Sequence, residues 1–273
     1  GNSAVSIPAA GTTLTYTGGN LNVGSHTLSI GGAGTFSNAT GSPLVLDVAD
    51  SILSLTGNGT ISGPVKLESG TLKSTGSPTV SGAMTQYSDA TIEVSTNQTL
   101  TYSGASFSLG ANTLTLTGGG TLMSGGLDLN NANSKLLLNS ITVDSVSTTV
   151  DNSLGVDVDN DSTITSLSVA NITPVSIASG KSLSGAITLT AGSLKLNETG
   201  TLASSVSMSG GTLDADESST VSGALSHSAD ITIDVADNKT LTYSGTAISL
   251  GANTLTLSGG GSFVSGGLTL NNA

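Results

Sequence analysis

The chain has no cysteine, no tryptophan and no arginine in its 273 residues. Without cysteine there are no disulfides, thiolate metal sites or cysteine nucleophiles. Six lysines face 18 acids for a net charge of −12. With no arginine to grip phosphate, nucleic acid is not an expected partner, and an anionic membrane surface is equally unpromising. No apolar run is long enough to span a membrane, and no signal peptide stands within these residues, so any export signal is expected to lie outside them. Aromatic residues are 3% and charged residues 9% of the chain, the latter far below the usual ~25%. A thick core built on rings is therefore excluded, and the surface must be covered mainly by Thr, Ser, Asn and Gly. The chain opens at Gly1 without Met, which reads as a processed or excised segment.

What is present is a ladder. Apolar residues are 36% and mean hydropathy is +0.22, enough to fill a narrow aliphatic interior. Thr99-Leu100-Thr101-Tyr102-Ser103-Gly104 shows the repeating motif: a hydroxyl residue, a large apolar residue, usually another hydroxyl, and soon a Gly. Its apolar member recurs at Leu14, Phe36, Ile61, Val80, Leu100, Leu122, Ile141, Ile164, Leu183, Leu202, Val221, Leu241 and Phe263, each preceded by Thr or Ser. The spacing of roughly 20 residues is that of a solenoid, in which each repeat is one turn of chain stacked on the last.

Two further apolar-polar-apolar columns run in phase. One includes Leu44/Leu46, Val65/Leu67, Phe107/Leu109, Ile187/Leu189, Val206/Met208 and Leu268/Leu270. The other includes Leu28/Ile30, Leu53/Leu55, Ile92/Val94, Leu114/Leu116, Val156/Val158, Val175/Ile177 and Leu194/Leu196. Alternation with period two predicts strands with the apolar members inward. The expected fold is all-β: a single-stranded parallel β-solenoid (β-helix) of about thirteen triangular coils, three short strands each, with a right-handed coil favoured. Prolines, including Pro43, Pro64, Pro78 and Pro174, are expected just before column strands, where no ladder donor is lost. Gly118-Gly119-Gly120 and Gly259-Gly260-Gly261 read as corners with positive φ.

Residues 1–12 read as a lead-in or a continuation of the solenoid, and 13–273 as one continuous solenoid. Within it, 99–132 matches 240–273 without a gap at 26 of 34 positions, an offset of 141 residues or seven coils. A third copy of the motif starts at Thr13, four coils before Thr99. Duplication in whole coils preserves the stacking register. No capping element is evident. The chain stops at Asn271-Asn272-Ala273, while the matching Asn130-Asn131-Ala132 runs on into Ser134-Lys135-Leu136, so the stack is expected to continue, covalently or through the next molecule.

The chemistry on offer is sparse. Asp157, Asp159 and Asp161 lie in D-V-D-N-D-S, spaced like the opening of a calcium loop. No Gly stands at the sixth place, and Ser168 occupies the position of the bidentate Glu, so they are metal candidates by spacing alone. His26 and His227 fall in coils far apart, and the serines follow the ladder rather than a nucleophile elbow. No cofactor and no catalytic residue is expected. Seven N-x-[ST] sequons, at Asn38, Asn58, Asn97, Asn160, Asn171, Asn197 and Asn238, are common enough in such a composition to arise by chance. The clearest candidate surface is the outward hydroxyl row Thr13, Thr35, Thr60, Thr79, Thr99, Thr121, Thr163, Thr201, Thr220 and Thr240, with a second hydroxyl row behind it. Such rows could bind ice, sugar or a second fibre, or simply suit exposed strands.

The motifs T-L-T-Y-S-G and G-A-N-T-L-T-L, with whole-coil duplication, resemble the repetitive segments of bacterial surface β-solenoid proteins: filamentous-haemagglutinin-like adhesins, autotransporter passengers and giant extracellular fibre proteins. The resemblance covers residues 13 to 273. It implies an extracellular or bacterial cell-surface location and a structural or adhesive role. The expected function is a non-enzymatic segment of a filament or adhesin stalk. The expected partners are other copies of itself, head to tail, with lateral fibre contacts or surface glycans. A ligand-binding solenoid, for ice or carbohydrate, is the alternative.

Overall fold

The computed structural model describes residues 1–39, 41–152 and 154–269. The expected Leu270 and the terminal Asn271-Asn272-Ala273 lie outside the described residues. The chain is an all-β parallel β-solenoid of about thirteen turns, with no helix among the described residues. It forms two compact units, residues 1–128 with 139–144, and residues 129–138 with 145–273.

In the first unit one sheet stacks Ser3–Ile7, Thr27–Gly32, Ile52–Leu55, Thr71–Ser74, Ala90–Val94 and Thr113–Thr117, each pair parallel. A second stacks Thr13–Tyr16, Thr35–Asn38, Thr60–Ile61, Thr79–Val80, Thr99–Tyr102 and Thr121–Met123. A third carries Leu21–Asn22, Leu44–Leu46, Val65–Leu67 and Met84–Gln86. Every second residue turns inward, so Leu46, Leu53, Leu72, Leu100, Leu114 and Phe107 are fully buried. Burying one such side chain contributes about 1.5–3 kcal/mol. Leu14, in the first rung of its column, is 44% exposed because it has a neighbour on one side only.

The second unit repeats this scheme through Gly155–Asn160, Thr173–Ile177, Ser193–Leu196, Thr212–Ala215, Ile231–Val235 and Leu255–Ser258. Here the structure departs from three strands per coil. Ser162–Val169 and Ser182–Leu189 are single eight-residue strands that merge two columns, with a bulge between Ile164 and Ser166 opposite Gly185 and Ala186. Pro174 also departs from expectation. It lies inside the strand Thr173–Ile177, not before it. Its neighbour Gly155 adopts φ 64°, and a Cβ there would stand 2.0 Å from Pro174 O.

Register is the main correction. Val80 stacks on Tyr102, not Leu100, and Val221 on Tyr243, not Leu241. Val143, not Ile141, stacks on Leu122, and Leu183 faces Ser162 rather than Ile164. Leu114 faces Ala90, and Leu194 faces Thr173. Each slip is two residues. A two-residue slip keeps inward side chains inward, whereas one residue would expel the whole set. Ile141 and Ile164 accordingly remain buried.

The tyrosines explain the slip beside them. Tyr102 and Tyr243 are buried, and their phenols reach back to the preceding coil. Met84 N–H donates to Tyr102 Oη at 3.2 Å, and Leu225 N–H to Tyr243 Oη at 3.0 Å. Tyr243 Oη donates in turn to Thr246 O at 2.6 Å. The ring lies over the glycine two residues on. A Cβ on Gly104 or Gly245 would come within 2.4 Å of Tyr102 Oη or 2.6 Å of Tyr243 Oη. Of the two glycine corners, Gly118 (φ 110°), Gly119 (φ 80°) and Gly259 (φ 86°) take positive φ as expected, whereas Gly120, Gly260 and Gly261 do not.

Candidate functional site

The outward threonines do not form the single row that spacing suggested. In the first unit an unbroken ladder of partners runs Thr13, Thr35, Thr60, Thr79, Thr101. Thr101 then faces Met123, which is exposed and ends the row. Thr99 belongs to a different row, with Thr121 and Thr142. In the second unit Thr201, Thr220 and Thr242 are successive partners, Thr240 faces Ser262, and Thr163 faces Ser184. Because strands stack ~4.8 Å apart, each row repeats at that interval. Most of these threonines are half-buried against their stacked neighbours, with Thr13 exposed.

The acids serve the stack itself. Asp89 Oδ1 accepts Thr113 N–H at 2.7 Å, and its seven-coil counterpart Asp230 accepts Thr254 N–H at 2.6 Å. Asp47 accepts Gly24 N–H, Asp144 accepts Ser124 N–H, and Asp151 accepts Ile172 N–H, at 2.7 to 3.0 Å. Asn2 and Asn58 do the same for Thr27 and Ser77. In every case the donor lies 19 to 24 residues away or, for Asn2, 25. These side chains satisfy backbone donors where the chain leaves the ladder at a corner.

Lysines are used similarly. Lys73 pairs with Glu93 at 2.8 Å, Lys239 with Glu217 at 2.5 Å, and Lys135 with Asp157. Lys195 sits between Asp214 (3.0 Å) and Asp216 (3.2 Å). Burial pushes the Asp214 carboxyl above its ordinary pKa, and the Lys195 hydrogen bond only partly offsets this, while Asp216 and Asp234 add repulsion. The hydrogen bond to Asp214 holds Lys195 above the usual lysine value, against its own desolvation.

The three aspartates spaced like a calcium loop are not brought together. Asp157 pairs with Lys135, Asp161 accepts Ser182 N–H at 2.8 Å and faces the Ser182 hydroxyl at 3.1 Å, and Asp159 is exposed. Among the described residues no three His, Asp or Glu side chains are placed to hold a metal ion. His26 is exposed at a corner. His227 points into the stack behind Met208, with Nδ1 3.1 Å from Ala229 O and Nε2 buried without a partner among the described residues. Asn38, one of the seven sequons, is buried and donates to Ser42 O and Pro64 O, which leaves no room for a glycan.

The tyrosine plugs were missed in the sequence, although a signal existed: Tyr-x-Gly recurs at 16/18, 102/104 and 243/245. No family model, no curated protein and no solved structure matches the chain, so what it does must be argued from these residues.

Proposed function

We propose that the chain is a structural, non-enzymatic segment of an extracellular or cell-surface filament or adhesin stalk, stacking head to tail. One observation carries this reading. The polar chemistry runs along the stack: corner Asp and Asn side chains bind backbone N–H groups one coil away, and four of six lysines pair with acids. Such bonds join coil to coil and resist shear between turns, which a stalk requires. Electron microscopy and sedimentation of purified material test it. Filaments, or mass that grows with concentration, are expected. A monodisperse monomer of 26.5 kDa at high concentration would refute it.

A second reading, a ligand-binding solenoid for ice or carbohydrate, is favoured by the five-threonine row from Thr13 to Thr101. Replacing Thr35 and Thr60 with Tyr would abolish ice or glycan binding on that face while leaving assembly intact. Loss of assembly instead would count against it.

A further inference from the structure

One patch in the first unit does not follow the ladder chemistry. On the sheet of Leu21–Asn22, Leu44–Leu46, Val65–Leu67 and Met84–Gln86 lies a groove of about 280 Å³ lined by Asn20, Pro43, Pro64, Lys66, Thr85 and Tyr87 among others. Tyr87 is 60% exposed, whereas Tyr102 and Tyr243 are each 3% exposed. Thr85 is the ladder partner of Lys66, which places Tyr87 diagonally across from it, and Lys66 Nζ stands 5.3 Å from the ring centroid. Lys73, Lys135, Lys195 and Lys239 each hold a carboxylate. Lys66 has none within ion-pair distance among the described residues and faces the ring.

The duplication provides an internal comparison. At the 141-residue offset, Pro64, Lys66, Thr85 and Tyr87 correspond to Ser205, Ser207, Ser226 and Ser228. The inward frame is retained, with Val206 on Leu225 as Val65 is on Met84, and Ser207 facing Ser226 as Lys66 faces Thr85. The coil therefore keeps the same ladder partners with four serines in these places. Stacking does not account for a large exposed ring, an unpaired ammonium and a proline floor in one copy only.

We propose that this groove is a saccharide-binding subsite, taking one or two pyranose rings. The apolar C–H face of a sugar would lie on the Tyr87 ring, with the Lys66 ammonium, the Thr85 hydroxyl and the Asn20 amide placed for its hydroxyls or carboxylate. At about 280 Å³ the groove stands at the lower edge of the ~300–1,000 Å³ of small-ligand sites, whereas a folded protein partner needs about 800 Å² of surface on each side. The proposal is independent of the stalk reading, since a stalk without the site and a site on a monomer are both coherent.

NMR titration of the intact chain tests it, with cellobiose, diacetylchitobiose and digalacturonate as probes, following the Tyr87 ring and the Lys66 and Thr85 amides. Saturable shifts confined to these residues are expected. Tyr87→Ala should weaken binding by about tenfold or more without altering circular dichroism, because the ring is solvent-facing. Tighter binding of digalacturonate, lost in Lys66→Met, identifies an acidic sugar; equal affinity for all three identifies a neutral one; either supports the site. The Ser207→Lys/Ser228→Tyr double variant should create a second set of saturable shifts. Failure of all three sugars to give saturable shifts, or unchanged affinity in Tyr87→Ala, would overturn the proposal.

Discussion

Tyr243→Phe removes one oxygen and isolates what the phenol does at its corner. The parent hydroxyl accepts from Leu225 N–H at 3.0 Å and donates to Thr246 O at 2.6 Å, in a side chain only 3% exposed. The Leu225 bond is buried, and an unpartnered buried donor costs about 1–3 kcal/mol. Losing the part-buried bond to Thr246 adds about 0.5–1.5 kcal/mol. The ring still fills its space, so the expected loss is about 1.5–4.5 kcal/mol with no cavity term. Tyr102→Phe, at the matching corner, should cost about 1–3 kcal/mol by leaving the buried Met84 N–H without this acceptor. A solenoid unfolds as a sum of neighbouring terms, so a global melt would blur a local defect. Amide hydrogen exchange resolves it: the Leu225 and Met84 amides should exchange at least about 10-fold faster in their respective variants. Tyr87→Phe is the control and should leave both unchanged. Exchange at Leu225 within about twofold of the parent in Tyr243→Phe would refute the plug.

Leu100→Asp and Leu114→Asp each bury a carboxylate with no partner at a fully buried position and should cost several kcal/mol, read by urea denaturation; an unchanged midpoint would contradict the inward columns. A fragment of residues 1–144 should fold alone, because Thr142 and Val143 complete the rung on Thr121 and Leu122, whereas deleting residues 105–114 from mid-coil should destroy its register; equal circular dichroism and melting of the two would refute the coil assignment. Asp214 has a raised folded pKa, so its contribution to stability is fully present below the ordinary carboxylate pKa and is lost as pH rises through the raised value. Lys195 is raised too, so its contribution holds below the ordinary lysine pKa and disappears only as pH rises through its own folded value. Carbon-detected NMR titration should find Asp214 above the ordinary range, and Asp234→Asn should lower it; no movement would remove Asp234 as a cause.

The sequence by itself determined the strands, their faces and the stacking of coils. Period-two alternation around residues such as Leu100 and Leu114 leaves only one side that can be buried, and duplication in whole coils shows that successive coils stack. It could not determine which rung meets which. Shifting Thr99–Tyr102 by two residues against Thr79–Val80 keeps the same side chains inward, so hydrophobic pattern is blind to it. What chose between the alternatives was tertiary: a phenol reaching 18 residues back to a backbone N–H, and a glycine small enough to lie beneath it. The same limit applied to the surface. An exposed threonine row could be counted along the chain, but its break at Met123, the separation of Asp157 from Asp161 by different partners, and the meeting of Lys66 with Tyr87 depend on contacts between coils some 20 residues apart. Local sequence encodes which way a side chain faces; only stacking decides what it faces.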